Sequence, residues 1–426
     1  MIYLGVAFVI LLFIGMPVAL TVGISGLAFF LAEGVPGQIL VQKLVASTQS
    51  FSLLAVPFFV LAGNLMNETG ITSRLIKFCS LATGHMRGGL AQVSVLLSCL
   101  MGGISGSATA DAAMESRILG PDMEKRGYSK GFTAAILAMG GLITSTIPPS
   151  LGLILYGVTG EVSIGRLFLA GLVPGILMTV ILMFAVHRIS KKRDYKPEHA
   201  KMASLKELLR GLLENIWALM FPVILIVGIR FAIFTPSEAG AFAVVYALFV
   251  GLVVYRELTF KKLVECLKQT AVDLAVIMFI ITCSNAFGYA IVTGRLPQTI
   301  ATAIVSVSQN KYLILAIVMG FVFIVGMFME ATANVLLLTP IFLPIMLRYG
   351  FDPVHFGVMY MILITMGGMT PPIGVTMYTT CSILDCSVQT YTKDAIPFII
   401  AIVVLLIILA VFPDICLFLP NLVYGA

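Results

Sequence analysis

Charge is scarce in this chain: only 11% of its 426 residues are Asp, Glu, Lys or Arg, against roughly 25% in ordinary soluble domains. That scarcity excludes a soluble globular protein, and 59% hydrophobic residues with a mean hydropathy of +1.06 point to a polytopic membrane protein. Ligand clusters are missing too. The seven cysteines (Cys79, Cys99, Cys266, Cys283, Cys381, Cys386 and Cys416) form no CxxC pair and mostly lie in apolar stretches, where a thiol packs as a small hydrophobe. His85, His187, His199 and His355 lie in or beside loops without convergent partners, so a metal centre is not expected. Neither a nucleophile and base pair nor a phosphate-binding loop is present, which argues against an enzyme. The alternating period of barrel strands is absent as well, leaving helices as the spanning element.

What is present are uncharged apolar runs, Leu4–Leu31, Leu167–Val186, Ala239–Val254 and Ala395–Phe412, each about the length that crosses a ~30 Å hydrocarbon core. Residues 1–31 lack a basic n-region and run too long for a signal h-region before Glu33, so they read as mature membrane helix. The longest polar stretch, Arg188–Asn215, divides the chain. It carries Lys191-Lys192-Arg193, Lys196, Lys201, Lys206 and Arg210, which place it in the cytoplasm by the positive-inside rule. Leu205, Leu208, Leu209, Leu212 and Leu213 recur there at helical spacing, predicting an amphipathic surface helix.

The two halves share a register. Ala108-Thr-Ala-Asp111 recurs as Ala331-Thr-Ala-Asn334, and at the same 223-residue offset Pro121 matches Pro344, Gly127 matches Gly350, and Pro148-Pro149 matches Pro371-Pro372. Traced outward from a cytoplasmic connector, 217–233, 238–254 and 270–292 cross in turn, with a loop near 295–312 outside. In the first half 2–14, 17–32 and 50–65 cross, with loop 66–87 inside. This leaves Lys43, Arg166, Arg230, Arg295, Lys311 and Arg348 as the outside members of 26 Lys and Arg. The halves are then inverted repeats, 1–187 and 217–426, joined by the connector 188–216. The tight breaks at Gly15-Met16-Pro17 and Phe234-Thr235-Pro236 are either true turns or kinks.

Two segments cannot be ordinary spans. Leu90–Leu119 carries Gly102, Gly103, Ser105, Gly106, Ser107, Thr109, Asp111 and Glu115 where a membrane helix should be most apolar, and Leu313–Met346 carries Glu330, Thr332 and Asn334 at its midpoint. Polar irregular backbone is tolerated at membrane depth only inside protein or along a cavity, so both read as re-entrant hairpins, about 88–126 and 313–346. Each precedes an interrupted helix, about 131–157 and 355–381. A Pro-Pro pair removes two backbone donors and frees carbonyls for a cation, while half-helix N-termini attract an anion.

Hard cations prefer oxygen ligands, so two pseudo-symmetric sodium sites are expected: Ser105, Ser107, Thr109, Thr144 and Ser145 for one, Thr332, Asn334, Thr370 and Thr376 for the other. An anionic substrate between them would meet Gly106, Asp111, Pro148, Pro149, Glu330, Pro371, Pro372 and Gly374. Each Ser or Thr also has a plainer role open to it, bonding a helix carbonyl. Asp111 and Glu115 either serve the site or pair with Arg117 at the hairpin mouth. Asp273 and Glu238 lie nearer membrane ends and suit a cap or a loop salt bridge.

At these motifs the chain resembles the large membrane (M) subunit of TRAP transporters, the tripartite ATP-independent periplasmic transporters of bacteria and archaea. The matching stretches are Phe51-Ser-Leu-Leu-Ala-Val-Pro-Phe-Phe-Val-Leu-Ala-Gly63, Ser105-Gly-Ser-Ala-Thr-Ala-Asp111, Ile147-Pro-Pro-Ser150, Phe234-Thr-Pro-Ser-Glu-Ala-Gly240 and Thr370-Pro-Pro-Ile-Gly374. The resemblance implies an all-α inner-membrane importer of an organic acid, coupled to sodium and working as an elevator in which hairpins and broken helices move against a scaffold. It also implies two partners, a periplasmic substrate-binding protein (P) and a small four-helix membrane subunit (Q), the latter expected as a separate chain. The tip Glu330-Ala-Thr-Ala-Asn334 differs from the Asp-Leu-Thr-Pro of dicarboxylate-type relatives, which favours sialic acid over a C4-dicarboxylate or sugar acid. No arginine is evident in either broken region, so carboxylate binding would rest on helix N-termini and hydroxyl or amide donors. A stand-alone sodium/dicarboxylate symporter without a binding protein is the alternative. A channel would have no use for two mirrored hairpins.

Overall fold

The structure, a computed structural model, describes residues 2–46, 48–49, 51–230, 233–296, 299 and 310–425. Among them there is no strand. The helices are α1 (Ile2–Phe13), α2 (Val18–Ala32), α3 (Gly37–Ala46), α4 (Ala55–Glu68), α5 (Ile71–Thr83), α6 (Gly89–Gly102), α7 (Ala108–Ile118), α8 (Gly120–Lys125), α9 (Lys130–Thr146), α10 (Leu151–Thr159) and α11 (Ile164–Lys192). After the connector come α12 (Leu205–Glu214), α13 (Ile216–Arg230), α14 (Pro236–Phe249), α15 (Phe260–Thr293), α16 (Lys311–Gly326), α17 (Ala331–Arg348), α18 (Pro353–Gly367), α19 (Val375–Ile383), α20 (Val388–Val411) and α21 (Asp414–Tyr424).

Two interruptions fall where the polar tips predict them. The 14 residues of α6 and 11 of α7 rise only ~21 Å and ~16 Å, too little to cross a ~30 Å core alone. The chain turns between them at Gly103–Ser107, and between α16 and α17 at Met327–Glu330. Capping repeats at the 223-residue offset: Ser107 caps α7 where Glu330 caps α17, and Ser129 caps α9 where Asp352 caps α18. Gly127 and Gly350 both close the turn after the return arm with φ of +83° and +75°. The first broken helix bends by 47° between α9 and α10.

The broken helices sit at the centre. Every residue from Gly131 to Thr146 of α9 is buried, as is every residue from Val354 to Gly367 of α18, the expected fate of helices without a polar face. In lipid, helices gain little from apolar burial and depend on close backbone approach. Accordingly Gly140 and Gly141 of α9 lie against Ser98 of α6 and Ala108 of α7, while Gly326 of α16 meets Gly367 of α18. Around this centre α6, α7, α19 and α20 pack on α9; a second group joins α2, α4, α14 and α15.

The amphipathic connector helix forms as α12, opened by a capping box between Ser204 and Glu207. Glu198 and His199 of the connector donate their amides to Gly84 O after α5, at 2.7 and 3.1 Å. Arg193 at the end of α11 pairs with Asp394 of α20, and Lys130 with Asp385. These contacts define one face of the protein, the connector face.

The described structure revises several expectations. Residues 66–87 are not a plain loop but contain α5, and α3 and α21 are further helices outside the predicted spans. The span expected at 270–292 begins at Phe260, because Thr259 caps the helix and its charged first turns extend past the apolar stretch. Gly15, with φ of +87°, makes a true turn, and α1 packs back on α2. Thr235 and Glu238 form a capping box that starts α14, so Phe234-Thr235-Pro236 is a helix start. Most of the loop expected near 295–312 lies outside the described residues.

Candidate functional site

Four helices point their N-termini at one place. The first residues of α7 (Ala108), α10 (Leu151), α17 (Ala331) and α19 (Val375) all line a small cavity of about 50 Å³ between the two hairpin tips and the two helix breaks. The positive end of each helix dipole therefore converges on it, although one first-turn N–H of each helix is already taken: Ala110 N by Ser107, Leu153 N by Ser150, Thr332 N by Glu330 and Thr376 N by Gly368 O. Hydroxyl and carboxylate side chains of Ser107, Thr109, Ser145, Glu330, Thr332, Thr365 and Thr376 share its wall with Met361 and the glycines Gly106, Gly152 and Gly368.

The tips are held against the breaks by specific contacts. Gly106 has φ of +61°, and a Cβ there would stand 2.4 Å from Pro149 O, so only glycine lets the first tip lie on the first broken helix. Thr109 Oγ1 and Thr376 Oγ1 are 2.7 Å apart, joining the first hairpin to the second broken helix. Ser145 Oγ donates to Thr365 Oγ1 at 3.4 Å and so links the two broken helices. Ser150 closes the first break by donating to Ser145 O at 2.5 Å while its oxygen accepts Leu153 N. At the second tip Glu330 caps α17, accepting Thr332 N at 2.7 Å and Thr332 Oγ1 at 3.1 Å.

A larger cavity of about 510 Å³ adjoins this one. It is lined by Ser105, Ser107, Pro149, Glu330 and Thr332 from the tips and first break, and by Asn64, Asn67, Asp273 and Ile280 from α4 and α15. The end of α4 and the start of α15 are joined by Lys262 and Glu68, 3.6 Å apart, next to α5 and its connector contacts, so this cavity lies toward the connector face.

Of the residues singled out in the sequence, Ser105, Gly106, Ser107, Thr109, Ser145, Pro149, Glu330, Thr332 and Thr376 meet at these two cavities. Thr144 instead donates to Ser98 O, Thr370 to Met366 O, and Asn334 to Met329 O, each tying backbone near the tips. Pro148, Pro371, Pro372 and Gly374 shape the breaks without lining either cavity; Gly374 approaches the Thr370 and Gly368 carbonyls too closely for a side chain. Asp111 and Glu115, each 1% exposed, lie inside the first hairpin, and Arg117 is exposed and pairs with neither. Glu115 accepts from Ser98 Oγ at 2.8 Å, while Asp111 has the Ser105 and Thr144 hydroxyls as polar neighbours.

Asp273 corrects the sequence reading: among the described residues it neither caps a helix nor forms a salt bridge. It accepts Asn64 Nδ2 at 3.1 Å and Gln269 Nε2 at 2.8 Å inside α15 and faces the larger cavity. The sequence did hold a signal for it, an acid thirteen residues into a long helix, obscured by placing that helix's start ten residues late.

Long apolar helices around two interrupted hairpins with converging helix ends are the build of a polytopic membrane transporter. Residues 5–415 match the model of the family "Tripartite ATP-independent periplasmic transporter, DctM component". The chain belongs to that family, the large permease proteins of TRAP transporters. It is 38% identical over 416 residues to the sialic acid TRAP transporter large permease protein SiaM of Vibrio cholerae, covering 97% of each chain. To the 2,3-diketo-L-gulonate TRAP transporter large permease protein YiaN of Escherichia coli it is 36% identical over 406 residues, 94% of each. The crystal structure of the Alcanivorax borkumensis YdaH transporter shares the fold, with a TM-score of 0.63 at 13% identity over 88% of each chain.

Proposed function

We propose that this protein is the large membrane subunit of a sodium-coupled importer of an organic acid, with sialic acid the favoured substrate. The observation that supports this most directly is the convergence of four helix N-termini on a cavity whose polar lining is six hydroxyls and one carboxylate. The N-termini suit a carboxylate, which needs N–H donors when no arginine is at hand. The oxygen wall fits a hard monovalent cation, held by Ser107, Thr109, Ser145, Thr332 and Thr376 with carbonyls released at the breaks. Sodium bound there neutralises Glu330 and so lets an anion approach the same tips. Thr109 and Thr376 couple the hairpin of one half to the broken helix of the other, so the tips and breaks travel together as a transport domain against α2, α4, α14 and α15. The halves are inverted repeats and the connector face is cytoplasmic, in a bacterial inner membrane. A periplasmic binding protein delivers the acid, and a small four-helix membrane subunit braces the scaffold.

The test is uptake of labelled sialic acid into proteoliposomes holding this chain and its small membrane partner, with and without binding protein and an inward sodium gradient. Uptake that requires both additions is expected. Uptake of C4-dicarboxylates or sugar acids instead would keep the mechanism and change the substrate. Uptake without the binding protein would favour a stand-alone symporter, and uptake indifferent to sodium would refute the coupling.

A further inference from the structure

The tips are not the only place where α15 faces open space. Asp273, Val276, Ile277 and Ile280 line the cavity beside the tips, whereas Ile281, Ser284, Asn285, Gly288, Tyr289 and Val292, on the next turns, line a separate cavity of about 1100 Å³. The other walls include the last turn of α3, the turn between α10 and α11, Leu336 and Pro340 of α17, and Leu53, Phe234 and Tyr424. Helix α11 starts at this cavity and runs 29 residues to the connector, a rise of ~43 Å. The cavity therefore lies on the face opposite the connector, and α17 leads from it down to the tip at Glu330.

Lys43 is the single cation among the described lining residues; it is half-buried, and its Nζ stands 5.3 Å from the centre of the Tyr289 ring. Among the described residues it has no ion-pair partner. Asn285 is exposed in the same space, while Ser284, 7% exposed, lines it with its unpartnered Oγ buried behind the surface. A partly desolvated ammonium over an aromatic face, beside hydroxyl and amide groups, is matched by a small carboxylate that also carries hydroxyls. Glu161, the one acid in the wall, lies on the α10 to α11 turn.

We propose that this cavity is a capture site for the substrate's carboxylate, with Lys43 as its electrostatic anchor and Asn285 and Tyr289 as hydrogen-bonding partners, occupied before the acid reaches the hairpin tips. The assignment rests on the organic-acid importer reading above.

A reporter exists that leaves the anchoring groups intact: a Cβ at Gly288 meets nothing within 4 Å, so G288C should fit. In the reconstituted complex, millimolar sialic acid or succinate should slow modification of G288C by a membrane-impermeant thiol reagent added opposite the connector face. K43Q in the same background should abolish that protection and K43R should retain it. In uptake, K43Q should raise the half-saturating probe concentration roughly 3- to 10-fold at low ionic strength and less at high, with the sodium half-saturation unchanged. Absence of protection by either probe, or equal protection in K43Q, would overturn the proposal. So would a matching loss of binding-protein association in K43Q, which would make Lys43 a docking contact. If wild-type protein takes up no organic acid with sodium, the importer reading itself fails; normal wild-type uptake without protection of G288C sinks only the capture site.

Discussion

Gly106→Ala probes how closely the first hairpin tip must lie on the first broken helix. The substitution meets two costs. At φ of +61° an L-residue loses ~1–2 kcal/mol relative to glycine, and the new methyl would sit 2.4 Å from Pro149 O. That oxygen belongs to the backbone of a proline and cannot swing aside, so the tip must retreat by roughly 1 Å to restore ordinary contact. A loss of ~1–2 kcal/mol leaves a protein of typical stability folded, but a ~1 Å displacement of Ser105, Ser107 and Thr109 spoils a preorganised site, on the order of tenfold or more in affinity.

The assay is thermal unfolding in detergent with and without sodium, paired with uptake in proteoliposomes. G106A should remain folded, lose most of the sodium-dependent rise in Tm, and lose uptake. Gly127→Ala is the control for the backbone term alone, since its φ is +83° but its Cβ would meet nothing within 4 Å; it should lower Tm and spare uptake. Gly320→Ala, inside α16 with open space around it, should be neutral or stabilise by up to ~1 kcal/mol. Wild-type uptake and a wild-type sodium response in G106A would refute the reasoning.

Three further outcomes follow from the geometry. T109V or T376V should each raise the sodium concentration for half-maximal uptake roughly 5-fold or more, because either one removes the partner of the other hydroxyl, on buried Thr376 or half-buried Thr109; the double variant should be little worse than one single, and strict additivity would show the two act separately. Asp394 is 8% exposed and accepts from both Arg193 and Ser129, so D394N should cost about 1–3 kcal/mol, discounted for the partial exposure of Arg193; an unchanged Tm would contradict it. The Ser204 N–H and then its hydroxyl hold the Glu207 carboxyl below its ordinary value of 4.5. A depressed folded value means the cap's contribution is complete above pH ~4.5 and lost as pH falls through that lower value, so hydrogen-exchange protection at the start of α12 should decline on acidification in wild type and not in E207Q.

Much of the site is written in local sequence because hairpin tips and helix breaks are local events. A run of Gly, Ser and Thr inside an apolar stretch, or Pro-Pro flanked by hydroxyl residues, interrupts a helix whatever surrounds it, and Ser105 to Thr109, Pro149 and Thr376 could be placed on that ground. Glu330 was legible for the same reason, as an acid inside an apolar segment. Hydropathy, by contrast, reports the thickness of the bilayer and not the length of a helix. It therefore missed the charged first turns of α15, where Lys261, Lys262, Glu265 and Lys268 precede the apolar stretch, and it took the amphipathic α5 for a loop. Residues whose role depends on a distant helix left no local mark. Asn64 and Asp273 meet across 209 positions, and Lys43 meets Tyr289 of α15 only in the fold. Thr144, Asn334 and Thr370 carry the same hydroxyl and amide chemistry as their neighbours, and only packing turns them toward backbone carbonyls.

Alternating access at the hairpin tips is the claim on which the rest depends, and Ala110 offers the most direct view of it. This residue is exposed at the first tip and lines the cavity toward the connector face. In A110C, set against the chain's own seven cysteines, a membrane-impermeant thiol reagent should react from the connector face in the absence of substrate. It should react from the opposite face when sodium and loaded binding protein are supplied there. Reaction from one and the same face under every condition would contradict the account.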